Sequence, residues 1–192
     1  MVTPADMLTI LRLVLTPVFL ALFAAGLHGW AIACFSVAGA TDLVDGTVAR
    51  LTGRPSKLGA LLDPLADKAL IQTCFISLAV VGILPLWFVL LALARDAMII
   101  SGIAYLTRSK VEIPIRALII SKIATFCMLL VAVTGLVIRM SPAAVFIGRP
   151  LQLWLIWGIV ITAALLLISG VKYLMIGFDI LRNRSIREER FR

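Results

Sequence analysis

The chain has 192 residues, of which 62% are hydrophobic, and its formal net charge at neutral pH is +8. A soluble domain of this length is rarely more than about half apolar, so the composition favours an integral membrane protein. The basic residues lie mostly in short loops and at the C-terminus, and no nucleic-acid-binding motif accompanies them. The positive charge therefore predicts contact with anionic lipid headgroups rather than with nucleic acid.

Six apolar stretches have the length of about 20 residues that a helix needs to cross a bilayer. Within lipid the backbone must satisfy its own hydrogen bonds, so each stretch is predicted to be a helix. We expect an all-α integral membrane fold, a six-transmembrane-helix bundle forming one domain over residues 1–192, with a basic tail over residues 177–192. The predicted spans, within several residues, are Met7–Ala25, Trp30–Arg50, Leu58–Ile83, Leu86–Leu106, Arg116–Ile138 and Leu151–Ile176.

Loop charge predicts the orientation of these spans. Basic residues border or occupy the second-to-third loop, the fourth-to-fifth loop and the tail, whereas the first-to-second and third-to-fourth loops have none. Arg139 and Arg149, near the fifth-to-sixth loop, weaken this pattern slightly. The positive-inside rule places both termini and the second-to-third loop in the cytoplasm, as expected in a bacterial-type inner membrane. The tail is predicted to be either an amphipathic surface segment or a solvated, disordered one.

Four aspartates flank the second-to-third loop. Asp42 and Asp45 are three residues apart near the end of one span, and Asp63 and Asp67 are four apart near the start of the next. Each pair therefore shares a helical face, and a short loop makes the two spans antiparallel neighbours whose faces can meet. Four facing carboxylates repel one another unless cations lie between them. Two divalent ions, Mg²⁺ or Mn²⁺, would balance the charge with the hard oxygen ligands that these ions prefer.

The residues between the aspartates suit a phosphate-bearing ligand. Gly46 and Gly59 allow a ligand to approach the backbone closely, and Ala49 keeps the face beyond Asp45 shallow. Arg50 offers a rigid, planar group that binds phosphate. Close helix packing in a membrane would also explain small residues, and burial would explain an Asp–Arg pair, but neither explains the whole set in this register.

The stretch reads D-x2-D-G-x2-A-R-x8-G-x3-D-x3-D, with no departure at any fixed position. This pattern is the signature of the CDP-alcohol phosphatidyltransferase family, which the chain resembles over essentially its whole length. The resemblance implies a six-span membrane enzyme of phospholipid biosynthesis, commonly a homodimer. It also implies transfer of the phosphatidyl group of CDP-diacylglycerol to an alcohol, with release of CMP.

The resemblance further implies roles at the matching positions. The implied ligands of two divalent ions, Mg²⁺ or Mn²⁺, are Asp42, Asp45, Asp63 and Asp67. The implied CDP-binding residues are Asp42, Gly46, Ala49, Arg50 and Gly59. Asp67 is also the implied general base that takes a proton from the acceptor hydroxyl. Because no fixed position is a Ser, Cys or His, we expect a single displacement without a phosphatidyl-enzyme.

Intramembrane charges outside the motif are candidates for binding the acceptor, since such residues are costly in lipid and usually functional. The candidates are Arg95, Arg116 and Lys122. Arg95 could instead form a local ion pair with Asp96, and Lys122 could extend its side chain to the membrane surface.

Within the family, the stretch ADMLTILRLVLTPVFL resembles phosphatidylglycerophosphate synthases and cardiolipin synthases, which implies a glycerol-type acceptor. Synthases that use glycerol 3-phosphate usually carry Arg-Glu in span four and G-K-x-K-T followed by Gln in span five. This chain has Arg95-Asp96, then SKIAT, with Ala124 in place of the second Lys and Met128 in place of the Gln. Those departures resemble cardiolipin synthases.

Three acceptors therefore stay open. Glycerol 3-phosphate is slightly favoured, phosphatidylglycerol is the alternative, and an inositol phosphate is less favoured. A divalent-cation transporter would also use membrane carboxylates, but we expect it to place them near the midplane on broken helices and without a neighbouring Arg.

Overall fold

The computed structural model describes the backbone of residues 4–39, 59–108 and 119–190, and the side chains of residues 10–39, 68–102 and 119–177. These parts of the chain form six helices and one short hairpin, so the predicted helical fold class is confirmed. The helices are α1 Pro4–Ala24, α2 (described over 28–39), α3 Gly59–Val80, α4 Leu86–Arg108, α5 Ile119–Met140 and α6 Leu151–Arg190. The hairpin strands, between α5 and α6, are β1 Val145–Phe146 and β2 Arg149–Pro150.

A glycine in the left-handed conformation ends α3. Gly82 has a φ of +77°, and its N–H donates to the carbonyl of Ala79 at 3.0 Å, while the N–H of Ile83 donates to the carbonyl of Leu78 at 2.9 Å. These two bonds satisfy carbonyls that the end of a helix otherwise leaves without partners. Gly26, with a φ of +75°, ends α1 in the same way, with an equivalent pair of hydrogen bonds. Both helices therefore stop at one end of the bundle, where tight turns lead into α2 and α4.

Aromatic rings join the helices in consecutive pairs. Phe19 of α1 and Phe35 of α2 have ring centroids 5.9 Å apart, and Phe75 of α3 and Phe88 of α4 have centroids 5.3 Å apart. All four rings are fully buried. The helix α3 packs against α1, α4 and α5, and α6 packs against α4 and α5, so α3 lies at the centre of the described bundle.

Glycines allow α5 to approach its neighbours closely. A Cβ added to Gly135 of α5 would lie 2.7 Å from Cδ1 of Leu78 in α3. A Cβ added to Gly158 of α6 would lie 3.3 Å from Cγ2 of Val131 in α5. Small residues at such contacts let helix backbones pack tightly, which is the main source of helix association in a membrane.

Two of the described helices are long and apolar enough to cross a membrane. They are Ile119–Met140, with 22 residues and a mean hydropathy of 2.2, and Leu151–Gly177, with 27 residues and a mean hydropathy of 2.3. An exposed apolar stripe follows α6 at helical spacing, formed by Ile156, Val160, Leu167 and Val171. Such a stripe suits lipid better than water, and it agrees with a membrane protein.

The helix α6 continues well beyond the predicted end of the sixth span. It runs for 40 residues from Leu151 to Arg190, so the backbone of the basic tail is helical over that part, and of the two open alternatives the disordered one is wrong there. The physical reason is that no proline interrupts the chain after Pro150, and Gly170 and Gly177 alone do not break a helix.

The hairpin between α5 and α6 is not among the elements that the sequence predicts. Its two turn residues, Ile147 and Gly148, have φ values of +50° and +67°. Positive φ at both positions suits a two-residue hairpin turn, but Ile rarely adopts it, so Gly148 was the only turn signal at these two positions.

Candidate functional site

A cavity of about 570 Å³ lies between α1, α2, α3 and α5. Its polar lining consists of Arg12 from α1 and of Ser121, Lys122 and Thr125 from α5, and its remaining walls are apolar. The Arg12 side chain is only 3% exposed, whereas Lys122 is exposed. Two cations beside hydroxyl groups form a site suited to an anionic ligand such as a phosphate.

The cavity lies against α3, the helix whose sequence contains two of the predicted site residues. Leu70 and Ile71 line the cavity. Asp67 precedes them by three and four residues in the same helix, and Asp63 lies four residues earlier still. Positions three or four apart share a helical face, so the sequence spacing predicts that both aspartates face the same side of α3 as Leu70 and Ile71.

The other motif residues cannot be placed. Those outside the described residues, together with one acceptor candidate, are Asp42, Asp45, Gly46, Ala49, Arg50 and Arg116. Gly59 begins α3, and the side chains of Asp63 and Asp67 lie outside the described set. Among the side chains that are described, no group of three or more His, Cys, Asp or Glu is placed to hold a metal. The metal-binding and CDP-binding assignments therefore stay predictions.

A buried ionic cluster lies between α3 and α4. Asp96 accepts hydrogen bonds from Lys68 Nζ, from Gln72 Nε2 at 3.0 Å and from Arg95 Nη1 at 2.7 Å. Arg95 and Asp96 are 5% and 6% exposed. Removing one partner of a buried ion pair leaves an uncompensated charge, so each member holds the others in place. The alternative that Arg95 and Asp96 form a local ion pair is thus confirmed.

Arg95 also connects this cluster to α5 and α6. Its Nη2 donates hydrogen bonds to the hydroxyl of Ser121 and, at 3.1 Å, to the hydroxyl of Ser169. Arg95 does not line the cavity, but Ser121 does. Of the three acceptor candidates, Lys122 therefore lies in the cavity wall and Arg95 lies directly behind it.

Comparison with known proteins identifies the family. A profile described as CDP-alcohol phosphatidyltransferase matches residues 2–170, nearly the whole chain. The chain belongs to the CDP-alcohol phosphatidyltransferase family. This confirms the resemblance seen in the spacing of the four aspartates.

Relatives within the CDP-alcohol phosphatidyltransferase family carry two kinds of name. A Mycobacterium tuberculosis protein named "Putative cardiolipin synthase" is 38% identical over 126 residues, which are 65% of this chain and 59% of that protein. A "Probable phosphatidylglycerophosphate synthase" from the same organism is 46% identical over 100 residues, 48% of this chain and 47% of that protein. The human "Cardiolipin synthase (CMP-forming)" is 38% identical over 104 residues, 54% of this chain and 35% of that protein. Each match covers less than two thirds of the relative. No solved structure matches the chain.

The two family-pattern departures in α5 lie outside the cavity lining. Ala124 and Met128 stand where the glycerol 3-phosphate pattern has Lys and Gln. Both are buried, at 0% and 2% exposure, and neither lines the cavity. The described cations of the cavity wall are Arg12 and Lys122.

Two features of the site were not anticipated from sequence. Lys68 and Gln72 are four residues apart on an apolar helix, a spacing that marks a shared polar face and could have drawn attention to them. No spacing rule connects Ser121 with Arg95, which is 26 residues earlier on another helix. That contact depends on how α4 and α5 pack, and only the three-dimensional structure reveals it.

Proposed function

We propose that the protein is a membrane enzyme that transfers the phosphatidyl group of CDP-diacylglycerol to a glycerol-type alcohol and releases CMP. One observation carries this proposal, namely that the cation-lined cavity lies against Leu70 and Ile71 of α3, the helix whose sequence also contains Asp63 and Asp67. A family member needs a place for the acceptor next to its motif aspartates, and the cavity meets that need. Its apolar walls also suit the acyl chains of a lipid substrate.

The proposed setting is a six-span bundle whose active site and termini face the cytoplasm. The apolar exterior of α5 and α6 supports a membrane location. All four tryptophans are exposed and lie near the starts of helices at the end opposite the motif: Trp30, Trp87, Trp154 and Trp157. Tryptophan is enriched at both membrane–water interfaces, so these residues support an interface at that end, and the cytoplasmic side of the motif end is proposed from the loop charges. A homodimer remains part of the proposal on family grounds.

The proposed donor site is formed by the motif. Asp42, Asp45, Asp63 and Asp67 would hold two divalent ions, Mg²⁺ or Mn²⁺, for which four carboxylates are a suitable ligand set. When bound, such ions stabilise negative charge on phosphoryl oxygens and on the leaving group. The residues proposed to bind the CDP moiety are Asp42, Gly46, Ala49, Arg50 and Gly59.

Asp67 is the proposed general base. Of the two aspartates in α3, it lies nearer in sequence to the cavity-lining Leu70 and Ile71. A hydroxyl held in the cavity would therefore lie near its position on the helix. The proton would pass from the acceptor hydroxyl to the Asp67 carboxylate while the hydroxyl oxygen attacks phosphorus and the bond to CMP breaks.

We favour glycerol 3-phosphate as the acceptor, because Lys122 lies in the cavity wall together with Ser121 and Thr125, and a cation beside hydroxyl groups suits a phosphate monoester. Phosphatidylglycerol is the second candidate. The apolar walls of the cavity and the relatives named cardiolipin synthase support it. An inositol phosphate is a weaker third candidate.

An acceptor panel tests the proposal. Purified protein would be given CDP-diacylglycerol and Mg²⁺ or Mn²⁺, with glycerol 3-phosphate, phosphatidylglycerol, inositol phosphate or serine in separate reactions. We expect metal-dependent CMP release with a glycerol-type acceptor, and the lipid product identifies which one. Absence of CMP with every acceptor would contradict the proposed enzyme, and metal uptake into vesicles without CMP release would support a transporter instead.

A further inference from the structure

Ser121 is the point at which the buried ionic cluster meets the cavity. Its hydroxyl accepts a hydrogen bond from Arg95 Nη2, and the residue also lines the cavity. Ser169 accepts a bond from the same guanidinium nitrogen, but it is fully buried and lies outside the cavity lining. The two serines therefore share one donor and differ in what they can reach.

The chemistry of a serine hydroxyl determines which group in this arrangement donates a hydrogen bond and which accepts it. A hydroxyl has one proton to donate and two lone pairs that accept. The Arg95 guanidinium occupies a lone pair of Ser121, and a charged donor at that position polarises the O–H bond and strengthens it as a donor. What Ser121 can present to a ligand in the cavity is then a hydrogen-bond donor backed by a cation.

The charge behind Ser121 is not cancelled within the cluster. Asp96 is one carboxylate shared by two cations, Arg95 and Lys68. Among the described residues of this cluster, one positive charge is therefore not balanced by a carboxylate. Because Arg95 is 5% exposed and does not line the cavity, its hydrogen-bonded connection to a ligand there runs through Ser121.

We propose, on the basis of the function proposed above, that Ser121 is a specificity-determining residue whose hydroxyl donates a hydrogen bond to an oxygen of the acceptor's glycerol phosphate group. Arg95 is a positioning residue that acts through Ser121. Glycerol phosphate is common to free glycerol 3-phosphate and to the headgroup of phosphatidylglycerol. Both sources enter the test as separate acceptor reactions.

The test compares Ser121→Ala with Ser169→Ala, since each variant removes one hydroxyl partner of Arg95. In steady-state assays of CMP release, Ser121→Ala is expected to raise the KM for the acceptor about tenfold, the loss expected for a hydrogen bond assisted by a charge. The KM for CDP-diacylglycerol should not change. Ser169→Ala should leave both KM values near those of the wild type, and Ser121→Thr, which keeps the hydroxyl, should restore most of the affinity for the acceptor.

A purely structural role for Ser121 predicts a different result. Equal effects of Ser121→Ala and Ser169→Ala, or an effect on the KM for CDP-diacylglycerol alone, would overturn the proposal. If Ser121→Ala does not fold, Ser121→Cys tests the proposal instead. A thiol is similar in volume to the hydroxyl group that it replaces, but it is a weaker hydrogen-bond donor. That variant should raise the acceptor KM severalfold, and a wild-type KM would refute the role of Ser121.

The wild-type reaction separates the two proposals. No turnover with either acceptor would count against the proposed function and would remove the role of Ser121 with it. Normal turnover in the wild type, combined with an unchanged acceptor KM in Ser121→Ala, would refute only the role of Ser121. The reaction in which the KM changes also identifies whether free glycerol 3-phosphate or the lipid headgroup is the ligand.

Discussion

The two ends of the bundle differ in the ligands that they can bind and in the interactions that stabilise them. The motif end contains the cavity with Arg12 and Lys122 in its wall, next to the buried cluster around Asp96. The opposite end contains the glycine-terminated helices, the exposed tryptophans and an apolar groove of about 460 Å³ whose lining includes Gln152. A groove with few polar groups can recognise a ligand only by its shape. It can hold an apolar chain, but it cannot distinguish one such chain from another by charge or hydrogen bonding. A cavity with cations and hydroxyls can also select for charge and for hydrogen-bond geometry.

The comparison shows where each kind of substitution should act. Buried charges are expensive in an apolar protein, and their concentration near the motif indicates that they serve ligand binding there. The opposite end is built from backbone geometry and close packing, so changes at that end should alter stability and leave the chemistry intact.

The largest expected effect comes from Asp67→Asn. Loss of the general base should lower kcat by at least about 100-fold, because a positioned base contributes roughly 10²–10⁴ in rate. Binding of CDP-diacylglycerol, measured with the purified variant, should be retained. Asp179→Asn makes the same change on α6 outside the motif and should keep its activity. Substantial turnover by Asp67→Asn would remove this residue from the role of base.

Lys122→Ala should have the next largest effect. Loss of a charged hydrogen-bond donor from the cavity wall is expected to raise the acceptor KM about tenfold or more, with little change in the KM for CDP-diacylglycerol. Lys172→Ala is the matched control, since Lys172 is exposed on α6 and does not line the cavity. Equal acceptor KM values for the two variants would show that the cavity does not bind the acceptor phosphate.

Gly135→Ala should reduce stability rather than activity. The new Cβ would lie 2.7 Å from Cδ1 of the fully buried Leu78, and overpacking of this kind costs about 1–3 kcal/mol. In Gly102→Ala the added Cβ meets no atom within 4 Å, so no loss is expected. Denaturation in detergent compares the two variants, and kcat per folded molecule should match the wild type. Similar stability in both would mean that α3 and α5 are not packed as described.

Gly82→Ala should have the smallest of these effects. A left-handed conformation costs a residue with a Cβ about 1 kcal/mol, and no nearby atom adds a clash. Gly29→Ala, in α2, is the control, because Gly29 has no positive φ and its nearest contact is at 4.0 Å. The same denaturation experiment should show a loss for Gly82→Ala alone. An equal loss at Gly29 would argue against the glycine-terminated end of α3.

Features determined by neighbouring residues in the chain were predicted well. The predicted starts of the fourth and sixth spans, Leu86 and Leu151, coincide with the observed starts of α4 and α6. In each case a proline comes directly before the helix, and its fixed φ suits a helix start but not a helix interior. The motif likewise identified the family, because its information lies entirely in sequence spacing.

Features determined by packing were not predictable. Lys68 and Asp96 are 28 residues apart on different helices, and their contact depends on how α3 is rotated against α4. The same holds for Arg95, an acceptor-binding candidate whose contact with Ser121 joins two helices. Hydropathy could place both helices in the membrane, but it carries no information about which polar residues face each other across them.

Site protection compares the two ends most directly. Thr125→Cys places a thiol in the cavity wall, and Gln152→Cys places one in the apolar groove. The rate at which a thiol reagent labels each variant is compared with its labelling of the unmodified chain. If substrates bind at the motif end, CDP-diacylglycerol with glycerol 3-phosphate or phosphatidylglycerol will slow labelling at position 125 and leave position 152 unchanged. Protection at position 152, or unchanged labelling at position 125 under saturating substrates, would contradict the placement of the reaction in this cavity.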